Sequence, residues 1–256
     1  MIALIVLGTL PLAAQWANLP KNNMNLTAPA PRTTYGKPDL SGLWQTDIKF
    51  NTNLAADLPS GAVRMTPWGQ ALYDERQANL SKDDPEGFCL PPGVPRASGV
   101  PFPEKILQSR NLVVILYETR TTFRQIFLDG RGPAANAQPT WMGYSTGRWE
   151  GDVLVVHTSG FNDKTWLDDD GHPHSESLVV IEHLRRPDLG HLVVEITIDD
   201  PKAYERPWTA TEVFQLLPRS EILEYVCNEN NRDPAHTLAN RPASLAARPT
   251  TVELTR

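Results

Sequence analysis

The segment 147–158, GRWEGDVLVVHT, contains the pattern that decides the fold. The turn residues Glu150, Gly151 and Asp152 separate a short run that ends at Trp149 from a run rich in valine. Short β-branched or aromatic runs on both sides of a glycine-containing turn are typical of a β-hairpin. The segment therefore predicts two antiparallel strands joined by a tight turn.

Similar runs continue along the chain before and after this hairpin, each short and rich in Val, Ile, Thr and aromatic residues. Including the hairpin, they lie at 111–120, 121–130, 141–149, 152–161, 176–186, 191–200, 208–218 and 222–227. Short connections with no helix between the runs favour an antiparallel meander. Closure into a barrel removes exposed edge strands. We therefore predict an all-β fold, in which the meander closes into a lipocalin-like barrel.

The chain before the meander predicts a first strand, one short helix and an arm. Gly42 and Trp44 form a Gly-x-Trp pattern that resembles the first strand of lipocalin-like barrels, in which the tryptophan closes one end. The segment 65–80 predicts the helix, with Thr66 and Pro67 at its start. Two further boundaries follow from composition: an extended N-terminal arm at 16–38 and a single barrel domain at 39–256.

Residues 1–15 have the pattern of a secretory signal peptide. The apolar run from Ile2 to Leu12 is shorter than the roughly 20 residues that span a bilayer. Ala13 and Ala14 are small residues of the kind that precede a cleavage site. A basic stretch before the apolar run is missing, so a buried N-terminal strand is the alternative. The signal peptide predicts a periplasmic or secreted protein with no membrane span after cleavage.

The two cysteines, Cys89 and Cys227, fit an exported protein. Export favours a disulfide between them, because such bonds persist in oxidising compartments. Two unpaired buried thiols are the alternative. With two cysteines and no Cys-x-x-Cys, a thiolate zinc site is disfavoured.

Charge and motifs restrict the partners. The net charge is -6, from 24 Lys and Arg against 30 Asp and Glu, and no basic stripe is present. This charge pattern disfavours nucleic acid, and we expect none as a partner. The sequence has no Gly-x-Ser-x-Gly, no phosphate-binding glycine loop and no His-Glu-x-x-His, which disfavours hydrolase-elbow and nucleotide-dependent chemistry. A small-molecule ligand or substrate is the partner we expect.

Longer motifs resemble an uncharacterised family of exported bacterial proteins with a lipocalin-like, or calycin-like, β-barrel. They are APAPRTTYGKPDLSGLW (28–44), CLPPGVPR (89–96), FRQIFLDGR (123–131), WMGYSTGRWEGDVLVVHTSGFNDKTWLD (141–168), HSESLVVIEHLRR (174–186), TIDDPKAYERPWT (197–209) and EYVCNENNRD (224–233). The resemblance implies an exported β-rich domain and brings no established activity. Such proteins often continue the Asp-Gly-Arg turn with His-Pro, whereas Gly132 and Pro133 follow it here.

The segment DDDGHPHSESLVVIEHLRR contains a candidate metal site. Strand alternation places His174 and Glu176 on one face, and His172 can join them from the preceding loop. Imidazole and carboxylate groups bind zinc and other divalent transition metals, so these three residues are the predicted ligands. Two further histidines are candidates to complete the set: His157 and His236. The alternative is a polar loop that enters a strand, with the three aspartates solvated.

A second arrangement needs no metal. Charged residues interrupt the apolar alternation of the predicted strands: Glu118, Arg124, Glu182, Glu195, Glu212 and Glu224. An isolated buried carboxylate is costly, so each faces the interior with a partner or forms an ion pair on the outer wall. An interior carboxylate would have a raised pKa and could serve in acid–base catalysis. The predicted catalytic residues are His174, Glu176, Glu182, Arg124 and His157.

Aromatic residues near the predicted barrel mouth are candidate ligand contacts. Trp166 and Trp208 would suit a flat aromatic or sugar ligand, and Tyr117 and Glu118 complete this set. Two functions remain open. One is an exported protein whose barrel binds an apolar or aromatic small molecule. The other is a lyase, isomerase or hydrolase that uses His and Glu side chains, with or without a metal.

Overall fold

The computed structural model describes residues 24–229, which form a closed barrel of nine strands. The strands follow one another around the barrel in chain order, and β9 pairs with β1 to close it. Their bounds are β1 (Gly42–Gln45), β2 (Glu104–Gln108), β3 (Leu112–Tyr117), β4 (Thr122–Phe127), β5 (Tyr144–Glu150), β6 (Val153–Ser159), β7 (Val179–Arg185), β8 (His191–Asp199) and β9 (Trp208–Leu216). The predicted barrel is confirmed.

One pair of neighbouring strands departs from the antiparallel prediction. Strands β4 and β5 run parallel and pair at Ile126 with Ser145 and at Phe127 with Thr146. The connection 128–143 is too long for a hairpin and carries the chain back before β5 begins. This ladder and the closing ladder between β1 and β9 are the shortest, with two residue pairs each.

The sequence analysis missed one strand and predicted another that does not form. Strand β2 follows a proline-rich loop and was not predicted. The run 222–227 was predicted as a strand and is not one. Because β9 already pairs with β1, the closed barrel offers no edge for a further strand. The run is held by other bonds, from Leu223 N to Glu118 Oε2 at 2.8 Å and from Thr121 Oγ1 to the Tyr225 carbonyl at 2.7 Å.

Alternation along the strands separates the interior from the outer wall. On β9, Trp208, Ala210, Glu212 and Phe214 are buried, and the residues between them are exposed. The predicted end-closing tryptophan, Trp44, is fully buried on β1, where its indole N–H donates to the Leu40 carbonyl at 3.0 Å. Arg186 stacks on its ring at 4.8 Å.

Short turns and the arm lie at one end of the barrel. This end contains the turns between β2 and β3, β5 and β6, and β7 and β8. Residues 24–38 of the predicted arm pack against these turns. Gly190 N donates to the Leu26 carbonyl at 2.7 Å, and the Tyr35 hydroxyl donates to the Ser109 carbonyl at 3.0 Å.

Long connections and the three α-helices found within residues 24–229 lie at the opposite end, which we call the loop end. The helices are α1 (Lys49–Thr52), α2 (Pro67–Ala78) and α3 (Arg96–Gly99). The predicted helix is α2, and the Thr66 hydroxyl accepts a hydrogen bond from Gly69 N at 3.1 Å. A Cβ at Gly69 would lie 2.3 Å from the Ala203 carbonyl oxygen. Glycine is therefore required where α2 packs on the β8–β9 connection.

The predicted disulfide is confirmed. Cys89 and Cys227, 138 residues apart, are bonded and attach the segment after β9 to the loop end. Among residues 24–229, no helix combines the length and apolarity needed to cross a membrane. The predicted signal peptide at 1–15, the start of the arm at 16–23 and His236 lie outside the described residues.

Candidate functional site in the barrel interior

Polar side chains from seven of the nine strands point into the barrel, and we call them the interior polar cluster. All are buried, with exposed fractions of 5% or less. They are Glu104 on β2, Tyr117 on β3, Arg124 on β4, Ser145 on β5, Thr158 on β6, Glu182 on β7 and Glu212 on β9. Such a group is unusual inside a small barrel, because each buried polar atom costs free energy unless it is paired.

An ion pair between Arg124 and Glu182 crosses the interior. Strands β5 and β6 separate β4 from β7 along the wall, so the two side chains meet through the inside of the barrel. Arg124 binds both carboxylate oxygens of Glu182, with Nη1 at 3.0 Å from Oε1 and Nη2 on Oε2. Its Nε donates to Ser145 Oγ at 2.8 Å, and Nη2 donates to Thr158 Oγ1 at 2.6 Å.

This pairing keeps Arg124 charged. Burial on its own would lower the pKa of the guanidinium, but the Glu182 carboxylate raises that pKa above its usual value. A bidentate arginine–carboxylate pair is among the strongest polar contacts available to side chains. The sequence left open whether Arg124 binds a substrate carboxylate or an internal glutamate, and in the structure it binds the glutamate.

Two further carboxyl groups, Glu104 and Glu212, are buried without such a partner. The Oε2 atom of each is inaccessible and accepts no hydrogen bond from residues 24–229. Burial raises the pKa of Glu104 to about 7, against the opposing effects of a Ser98 hydrogen bond and the Arg124 charge. Burial and the nearby carboxylates raise the pKa of Glu212 to about 8. At neutral pH, Glu212 is therefore mostly protonated.

A second polar group, the Asp168–His172 pair, lies at the loop end. Asp168 is fully buried and accepts from Leu54 N at 2.8 Å and from His172 N at 3.1 Å. The His172 Nδ1 atom lies 2.6 Å from Asp168 Oδ2, which fixes the ring. The rings of Tyr73 and Trp208 lie 5.1 and 5.9 Å from it. The alternative with three solvated aspartates does not hold for Asp168, because its partner Leu54 comes from a distant segment and buries it.

The predicted arrangement of His174, Glu176 and His157 does not form. Strand β7 begins at Val179, so strand alternation does not apply to His174 and Glu176. His174 is buried, with Nε2 at 2.6 Å from Thr165 Oγ1 and Nδ1 at 3.1 Å from the Ser175 carbonyl. Burial lowers the pKa of its imidazole.

Glu176 and His157 are both exposed to solvent, Glu176 in the loop before β7 and His157 on the outer face of β6. Of the predicted catalytic residues, only Arg124 and Glu182 come together in the interior.

The predicted metal ligands are likewise separated by their own bonds. His172 binds Asp168, His174 binds Thr165, and Glu176 is exposed. Within the described part of the chain, no group of three or more His, Cys, Asp or Glu side chains could hold a metal ion. The described structure therefore does not bring His172, His174 and Glu176 together as a set of ligands.

The predicted ligand contacts lie in different parts of the barrel. Tyr117 lies in the interior polar cluster. Trp166 and Trp208 lie at the loop end but are packed, Trp166 under the Arg76 guanidinium at 4.4 Å and Trp208 against Tyr204 at 5.6 Å. Glu118 follows the end of β3, is partly exposed, and accepts a hydrogen bond from Leu223 N.

A groove of about 390 Å³ lies outside the barrel, on the outer wall of β1 and β9 beside α1. Thr211, Val213 and Gln215 form its floor, and the Lys49–Asp57 ion pair lies at its side. The groove contains none of the residues predicted to form a site. The interior polar cluster therefore remains the better candidate.

The sequence matches no protein-family model and no curated protein. The resemblance to exported bacterial barrels therefore remains a prediction, and the site is interpreted from its own chemistry.

We predict that Arg124→Met destabilises the fold by about 3–5 kcal/mol, because it leaves the Glu182 carboxylate buried and unpaired. Arg148→Met removes an exposed pair with Glu150, whose side chains are 71% and 52% exposed, and should cost less than about 1 kcal/mol. Urea unfolding at pH 7 measures both. Adding Glu182→Leu to Arg124→Met should recover much of the loss. Equal effects of the two single variants would contradict the buried pair.

We also predict that stability falls as the pH rises from about 4.5 to 8. The pKa values of Glu104 and Glu212 are higher in the folded than in the unfolded chain, where 4.5 is usual. In this window the folded chain retains protons that the unfolded chain has lost, so rising pH favours unfolding. The double variant Glu104→Gln/Glu212→Gln should show a flatter profile and gain a few kcal/mol at pH 8.

The matched control for this profile is Glu195→Gln, which alters an exposed carboxylate on β8. It should keep the wild-type profile in urea unfolding measured from pH 5 to pH 8. A double variant with the same slope as Glu195→Gln would show that Glu104 and Glu212 have ordinary pKa values.

Proposed function

We propose that this protein is an exported barrel that binds a small molecule through its interior polar cluster. The observation that carries the proposal is the pair of buried carboxyl groups, Glu104 and Glu212, each with an Oε2 atom that no described residue partners. Unpaired buried polar groups destabilise a fold, so their presence is a reason to expect a ligand that completes them.

The surroundings of these carboxyl groups define the shape of such a ligand. Apolar core side chains are buried on the same strands or on a neighbouring one. Ile106 lies on β2 with Glu104, Phe214 lies on β9 with Glu212, and Val194 lies on the adjacent β8. The interior therefore offers an apolar wall and a few fixed polar groups, which is the usual composition of small-molecule sites. This modifies the expectation of a purely apolar or aromatic ligand: the ligand needs a polar group as well.

Export is part of the same proposal. The Cys89–Cys227 disulfide supports an oxidising compartment, because such bonds are rare in the reducing cytosol. The apolar run at 2–12 supports a signal peptide. A periplasmic or secreted protein fits both features.

Binding is tested by a thermal-shift screen of small molecules that combine an apolar body with one polar group. We expect compounds that raise the melting temperature of the wild type and of Glu195→Gln, but not that of Glu104→Gln/Glu212→Gln. Native mass spectrometry of the hits should give a stoichiometry of one. Hits that stabilise all three proteins equally, or a screen without hits, would overturn binding through the cluster.

Acid–base catalysis at the Asp168–His172 pair is a second candidate function. The specific observation is the orientation of His172: Asp168 holds Nδ1, and within residues 24–229 no hydrogen bond occupies Nε2. A carboxylate that fixes one ring nitrogen and leaves the other available is the arrangement that general bases require. In this candidate function, His172 takes the acid–base role that the sequence predicted for His174 in lyase, isomerase or hydrolase chemistry.

The catalytic candidate is tested on the compounds that bind. Each hit is incubated with the protein and followed by NMR for chemical conversion. We expect turnover that His172→Gln lowers about 10²- to 10⁴-fold while binding is retained. The control, His183→Gln, changes a partly exposed histidine on β7 and should leave turnover unchanged. Hits that bind and are recovered unchanged would exclude catalysis.

A further inference from the structure

We infer that the ligand of the interior polar cluster is a small organic cation, such as a primary ammonium, and that its binding releases protons. The inference rests on the proposed binding function and names its ligand class. It follows from which polar atoms of the cluster are already bonded and which are not.

The only cation among the buried strand residues of the described chain, Arg124, has little capacity left for a ligand. A guanidinium has five N–H donors. Four of them are directed to Glu182, Ser145 and Thr158. The Tyr117 phenol lies against the same guanidinium and contributes to its raised pKa. An anionic ligand would therefore find no free positive group among the buried strand residues of 24–229.

Glu104 and Glu212, unlike Arg124, have polar atoms that remain available for a ligand. Arg124 neutralises Glu182, which leaves Glu104 and Glu212 without an opposite charge of their own. Their unpartnered Oε2 atoms are acceptors when ionised. An ammonium group carries one positive charge and three N–H donors, so it matches two carboxylates better than a neutral or anionic group does.

Binding of a cation at the cluster is coupled to the release of protons, because both act on the charge of the same carboxyl groups. Repulsion among the carboxylates of Glu104, Glu182 and Glu212 adds to burial in raising the pKa values of Glu104 and Glu212, and the Arg124 charge opposes the rise at Glu104. A cation between them stabilises the ionised carboxylates. Each carboxyl group that ionises on binding loses its proton to solvent, so ligand and protons compete for the same site.

The test uses three ligands that share one ring: benzylamine, benzyl alcohol and benzoate. Isothermal titration calorimetry of the full chain at pH 8 should show benzylamine binding at least 10-fold tighter than the other two. At pH 6, proton competition with a group that titrates near pH 8 should weaken benzylamine binding about 50-fold. Titrations in phosphate and in Tris should differ in heat, because the released protons are taken up by the buffer.

Variants separate the cluster from the protein surface. Glu212→Gln resembles the protonated side chain, so the fold should be retained, and we expect at least a 10-fold loss of benzylamine affinity and a weaker pH dependence. The control, Glu195→Gln, removes one exposed carboxylate from the neighbouring strand and should behave as wild type. Proton release by the wild type needs no variant, so the inference can be tested even if Glu212→Gln unfolds.

Other outcomes distinguish the two proposals. Binding of benzyl alcohol or benzoate that depends on Glu104 and Glu212, with weaker binding of benzylamine, would overturn the cationic ligand and leave the binding function intact. Benzylamine binding that is equal at pH 6 and pH 8 in all proteins would mean attraction to the acidic surface and would also overturn the inference. Failure of all three ligands to bind would overturn it too, and the broader screen would then decide the binding function.

Discussion

The ion pair between Arg124 and Glu182 is the constraint on which the interior depends. A single charge in this position would be prohibitively costly, since desolvation of an isolated ion exceeds any gain from packing. The pair is tolerated because Arg124 binds both carboxylate oxygens and because Ser145 and Thr158 each accept a further hydrogen bond from it. Once these groups are bonded to one another, Glu104 and Glu212 are left without a partner among residues 24–229, and burial favours their protonated forms.

Strand alternation predicted much of this interior, and its failures have physical causes. Glu182 and Glu212 lie inside regular strands and were correctly identified as residues that interrupt an apolar face. Glu104 was missed because its strand follows a proline-rich loop and has a weak local pattern. His174 was misplaced because alternation was extended into the loop before Val179.

Burial of Asp168 could not be predicted locally. Its backbone partner, Leu54, lies 114 residues away in sequence.

The interior cluster and the loop-end pair share one wall of the barrel. Trp208 and Glu212 lie on β9 with both side chains buried, and the Trp208 ring contacts His172. The loop that contains Asp168 and His172 therefore packs on the same strand that carries one of the unpartnered carboxyl groups. Residues 46–103 and 160–178 position this loop end, and the disulfide holds the segment after β9 against it. Binding or catalysis at the interior polar cluster and at the Asp168–His172 pair would thus both depend on strand β9.

The two shortest ladders divide the barrel into shells, one of β1 to β4 and the other of β5 to β9. Among the described strands themselves, backbone bonds join the two shells only along these two short ladders, so interior side chains add further links between them. Arg124 belongs to one shell and Glu182 to the other, and the same is true of Glu104 and Glu212. A molecule bound between Glu104 and Glu212 would be a second link between the two shells. Occupancy would then stiffen the whole barrel, and loss of the occupant would let the shells move apart along their seams.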